Sequence, residues 1–101
     1  MKVYLIRNGE GFHKVGYTKH SVLYRMEQLQ TGSSSELEYV NECVVKHATK
    51  VESALHRQYK KYHIIGEWFD LPDDVVEKFE ETAARFDNTF QSLIDAGNPF
   101  I

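Results

Sequence analysis

Val3-Tyr4-Leu5-Ile6-Arg7-Asn8-Gly9-Glu10-Gly11-Phe12-His13-Lys14-Val15-Gly16-Tyr17-Thr18 is the stretch on which the fold turns. Val3 to Arg7 is rich in β-branched and aromatic residues that suit a strand, and Phe12 to Thr18 alternates as a second strand does. Between them, the Asn8-Gly9 pair tolerates positive φ and fits a tight hairpin turn. The chain therefore opens with a β-hairpin. Tyr4 and Lys14 fall on its two antiparallel strands, and side chains that face the same way there stand within a cross-strand spacing of each other.

Outward from the hairpin, Val22, Leu23, Met26 and Leu29 are spaced three and four apart, with Ser21 as N-cap and Gly32 as the stop, which predicts a short amphipathic helix. A serine-rich loop follows over 31–36, then a third strand over 37–45. A second helix is expected from about Thr49 to Tyr62, with Val51, Ala54, Leu55, Gln58 and Tyr62 on one side and Glu52, His56, Tyr59 and His63 on the adjacent stripe. Gly66 interrupts, the aromatic segment Glu67-Trp68-Phe69-Asp70-Leu71 follows, and Pro72 opens a long final helix that ends at Gly97 with Pro99 behind it. Val76, Phe79, Ala83, Phe86, Phe90, Leu93 and Gly97 make a heptad seam along that helix. It has two readings: a cover for the domain's own sheet, or a homodimer contact through Val76, Phe79, Phe86 and Phe90.

The 101 residues suffice for one domain, and 42% hydrophobic with 27% charged residues exclude a disordered or fibrous chain. No run approaches the roughly 18 apolar residues of a membrane span, and no signal-peptide pattern precedes the first strand, so a soluble, cytoplasmic protein without a membrane partner is expected. The one cysteine, Cys43, forms no internal disulfide and no multi-cysteine zinc site; its apolar surroundings suit a small buried hydrophobe. The net charge of −3 hides two unlike parts: about −6 from Asp70 onward and +3 before it.

Glu52 and His56 are one helical turn apart and can reach one divalent ion or one substrate, although a solvated Glu-His pair has the same spacing. One carboxylate completed by water and phosphate oxygens describes magnesium, or manganese, better than zinc. Lys46, Lys50, Arg57, Lys60 and Lys61, with His47 and His63, make the second helix basic enough to attract a phosphate backbone. Tyr59, Tyr62 and Trp68 can stack on bases or fill the core.

Together, Val3-Tyr4-Leu5-Ile6, Lys14-Val15-Gly16-Tyr17-Thr18, Leu23 to Gly32, Val51 to His56 and Gly66 to Leu71 resemble the GIY-YIG nuclease superfamily, in particular its small phage-type DNA-binding branch. The resemblance covers about residues 3 to 71. It implies an α+β fold in which a three-stranded antiparallel sheet is flanked by helices, with a nuclease core over 1–71 and the C-terminal helix over 72–101. It also implies metal-dependent cleavage of a phosphodiester. Carried over by position, Tyr4 is the tyrosine of the first motif, Arg25 the arginine on the scissile phosphate and Glu52 the carboxylate on the metal. Lys14 stands where the superfamily has its second tyrosine, as in the phage-type branch, and Leu29 stands where a histidine is frequent. His56 then resembles a compensating partner. Such chemistry needs a water, a proton acceptor and positive charge on the developing phosphorane, with Tyr4 or Lys14 as the acceptor. A DNA endonuclease of phage, mobile-element or restriction systems is the leading expectation, RNA also being open. A non-catalytic nucleic-acid-binding module and a protein-interaction element built on the seam are the alternatives.

Overall fold

The computed structural model describes residues 1–97. Strands β1 (Lys2–Arg7) and β2 (His13–Thr18) form the expected hairpin, with Tyr4 opposite Gly16 and Ile6 opposite Lys14. The turn is longer than an Asn-Gly reverse turn. Asn8 closes it with its side chain, Oδ1 accepting from the backbone N–H groups of Glu10 and Phe12 (both 3.0 Å), and the positive φ of 86° falls on Gly11.

Helix α1 (Val22–Thr31) starts where Ser21 accepts a hydrogen bond from the Tyr24 N–H at 3.1 Å, the N-cap that the sequence predicts. Strand β3 (Glu38–Val44) then returns beside β1. Helix α2 (Ala48–Gln58) is shorter than its periodicity suggests. Lys60–Tyr62 tightens into a 3₁₀ turn, which leads to β4 (His63–Ile65) and β5 (Trp68–Phe69).

The expectation of a three-stranded sheet is overturned here: the sheet has five strands in the order β3-β1-β2-β5-β4, every pair antiparallel. In a three-stranded arrangement the outer edge of β2 would leave its N–H and C=O groups unpaired. Trp68 and Phe69 pair there with Lys14 and His13, and Gly66, at φ 56°, reverses the chain so that β4 can pair in turn.

Side chains alternate between the two faces of the sheet. On one face Tyr4, Ile6, Val22 and Leu37 form a cluster with Met26, Leu29 and Trp68, under α1. On the other, Val3, Leu5 and Val15 meet Val51 and Leu55 of α2, and Phe79 and Ala83 of the last helix. Cys43 is buried in this second cluster, where burial raises its thiol pKa.

The final helix is interrupted rather than continuous. Helix α3 (Asp73–Glu77) gives way at Lys78, whose N–H reaches the Val75 carbonyl at 3.2 Å, and α4 (Phe79–Asp95) follows, with Gly97 at φ 77° just beyond its end. Pro99 lies outside the described residues. Phe79 and Ala83 are wholly enclosed by their own chain, and Val76, Phe86 and Phe90 pack against the same cluster. The seam thus covers the sheet's second face. Among the described residues no helix is long and apolar enough to cross a membrane.

Candidate functional site

The register of the hairpin settles which way its polar residues point. Tyr4 is opposite Gly16, and Lys14 is two residues along β2, so both side chains lie on the α1 face. Tyr4 is almost wholly buried, with its ring across Gly16, where any Cβ would collide with its hydroxyl. A glycine in the second motif is therefore required by the tyrosine of the first. Lys14 is opposite Ile6 on one side and Trp68 on the other. Its ammonium sits 5.6 Å from the Trp68 ring centroid and 2.7 Å from Glu67 Oε2.

Glu52 and His56 come from α2, which packs on the opposite face of the sheet around Val15. The Glu52 side chain is only 16% exposed. Burial raises its carboxyl pKa above the usual range, the negative charge of Glu67 adds to this, and His56 and Lys14 oppose it. Glu52 thus lies within the electrostatic reach of Lys14 and Glu67. His56 Nε2 is 3.0 Å from the Val15 carbonyl and 3.6 Å from Glu52 Oε1. A carbonyl only accepts, so Nε2 carries a proton and donates it to Val15. The ring also stands edge-on to Phe69, with centroids 5.0 Å apart. These bonds make His56 a pin between α2 and the sheet.

Arg25, on α1, donates from Nη1 to Gln28 Oε1 at 3.3 Å and lines a cleft of about 310 Å³ with Tyr17, Lys19 and His20. Gln28 also lines a second cleft, of about 500 Å³, which contains Lys14 and Trp68. Gln28 therefore joins the surroundings of Arg25 to those of Lys14. No hydrogen bond or ion pair links Arg25 to Glu52 or to Tyr4 among the described residues.

The arrangement has two halves. Tyr4, Lys14, Glu67 and Trp68 form one, with Glu52 coupled to it through charge, and Arg25 approaches from α1 through Gln28. Glu67 and Gln28 are the two participants that sequence reasoning passed over. The strand pairing of the aromatic segment with β2 was the signal that would have brought Glu67 to Lys14. Among the described residues no three His, Cys, Asp or Glu side chains gather closely enough to hold a metal by themselves. Glu52 would thus be one carboxylate in an incomplete donor set, which fits a hard cation that keeps most of its water and takes oxygens from its substrate.

The T5orf172 domain family model matches residues 1–86. No curated protein and no solved structure matches the chain.

Proposed function

The chain belongs to the T5orf172 domain family, a membership that suggests a nucleic-acid-related function, and from that premise we propose a divalent-metal-dependent DNA endonuclease with a GIY-YIG-type site. The observation that carries this reading is the position of Lys14, beside Tyr4 on one sheet face, ion-paired to Glu67 and felt electrostatically by Glu52. A phosphodiester meets the Lys14 ammonium there, shared with Glu67, within the electrostatic range of a carboxylate able to take a hard cation.

Hydrolysis adds a water oxygen to phosphorus, breaks the bond to the leaving oxygen, moves a proton off the attacking water and delivers one from solvent to the departing oxygen. The Tyr4 oxygen is the proton acceptor in this proposal. The Lys14 ammonium stabilises the negative charge that grows on the phosphate. Arg25 grips the non-bridging oxygens with its planar donors. Glu52 is the residue that would hold magnesium or manganese, and such an ion, when bound, supplies Lewis-acid charge at the phosphate. His56 is a positioning residue that fixes α2, and with it Glu52, against β2.

The test is nicking of supercoiled plasmid with magnesium or manganese. Arg25→Ala and Glu52→Gln are each expected to lower the rate about a hundredfold or more. Nicking undiminished by both substitutions defeats the reading. A second reading, a non-catalytic binding module, is favoured by there being no hydrogen bond or ion pair between Arg25 and Glu52 among the described residues; salt-dependent DNA binding without cleavage selects it.

A further inference from the structure

The cleft of about 500 Å³ shares Lys14 with the reaction described above, but its remaining walls take no part in that reaction. It opens between the β1–β2 turn and the loop after α1, with Asn8, Gln28, Ser33 and Ser34 on its walls and Trp68 at Lys14. The loop wall is built rather than loose. Gln30 Nε2 donates to the Ser35 carbonyl at 2.9 Å while Gln30 Oε1 accepts from the Leu37 N–H at 2.8 Å. Ser33 Oγ donates to the same Ser35 carbonyl at 2.9 Å, and the Gly9 N–H donates to Ser35 Oγ at 3.4 Å, tying the loop to the hairpin turn.

A cation at one end, an indole beside it, and hydroxyl and amide groups along the walls form a set complementary to one nucleotide: phosphate, base and sugar. The volume is too small for stacked base pairs. We propose that this cleft receives one unstacked nucleotide of a single-stranded segment, its phosphate toward Lys14 and its base along Trp68. The inference rests on the nucleic-acid reading above and deepens it, making single-stranded or frayed DNA the preferred substrate. Glu67 on Lys14 and Glu10 at the rim oppose a free anion, so the strand context, rather than a mononucleotide alone, supplies the affinity.

Trp68 is the only tryptophan, so its emission reports on the cleft directly. The experiment uses the full chain in a chelating buffer, where nothing is cleaved, with a short oligothymidylate and a blunt duplex, each also followed by anisotropy of a labelled copy. Oligothymidylate is expected to quench Trp68, and the duplex to leave it nearly unchanged. Ser34 is exposed, and Ser34→Phe plugs the cleft; it should weaken oligothymidylate binding about tenfold, the worth of one base stack, with duplex binding held within about twofold. Ser34→Gln, a smaller plug, gives the same order with a smaller loss should the first variant fail to fold. Anisotropy that shows oligothymidylate binding with Trp68 unmoved, or undiminished affinity in a folded plugged variant, overturns the cleft while leaving the nucleic-acid reading intact. No binding of either DNA overturns both.

Discussion

The Tyr4 ring lies across Gly16 of the neighbouring strand, so the two motif residues are one packing unit. Gly16→Ala puts a methyl group into the Tyr4 hydroxyl and is expected to cost about 1–3 kcal/mol, as overpacking of a close-packed site does. Adding Tyr4→Phe removes the atom in the way and should return part of that loss. Thermal melting of the two single variants and the double variant checks it; an unchanged midpoint in Gly16→Ala would mean that the ring is not where it is described.

What the sequence made legible follows from locality. The hairpin, α1 with its Ser21 cap, β3 and the core face of α2 are encoded by nearby residues, through strand propensity, helical spacing and capping. Strands β4 and β5 are three and two residues long, too short for any period, and they are strands only because β2 has an open edge beside them. The break at Lys78 was hidden for the converse reason: the heptad spacing runs through it unbroken. In the site, the shared face of Tyr4 and Lys14 followed once the hairpin register was known. Glu67 could not be assigned to Lys14 without the β2–β5 pairing, and Gln28 reads as an ordinary polar helix residue.

The Lys14–Glu67 pair makes Glu67 a control on Glu52. Glu67 is the second contributor, after burial, to the raised Glu52 carboxyl pKa. Glu67→Gln removes that contribution, so Glu52 ionises at lower pH in the variant. On the proposed reading only ionised Glu52 holds the metal, and the acidic limb of magnesium-dependent nicking therefore moves to lower pH in Glu67→Gln. A pH–rate profile measures this, and a shift to higher pH contradicts it.

Tyr59 is 2% exposed, and its hydroxyl has no hydrogen-bond partner among the described residues; burial pushes its pKa up to about 12. Deleting an unsatisfied buried hydroxyl is neutral or favourable, so Tyr59→Phe should melt no lower than the parent and gain up to about 1 kcal/mol. The pH dependence has a definite sign. Tyr59 is neutral in the fold over a range where an unfolded tyrosine, with a pKa near 10, is already ionised, so its contribution is full below pH 10 and lost as the pH rises through about 12. Melting from pH 9 to 12 should show the parent losing stability that Tyr59→Phe retains.

Asp87 of α4 caps α2 from a distance of forty residues in sequence. Its carboxylate accepts from the Lys46 N–H with both oxygens at 3.1 Å and from the His47 N–H at 2.9 Å, and His47 Nε2 donates to Gln91 Oε1 at 2.9 Å. His47 makes no side-chain cap of its own, so a borrowed carboxylate serves the positive end of the helix. Asp87→Ala should cost about 1–2 kcal/mol, which in a domain of this size lowers the melting midpoint by roughly 4–8 °C per kcal/mol. Asp87→Asn keeps an acceptor but loses the charge, and should fall between. Because Glu52 lies one turn further along α2, loosening this cap should also reduce metal-dependent nicking at temperatures where the variant is still folded. A variant that melts lower yet nicks at the parental rate would separate the placement of Glu52 from the Asp87 clamp.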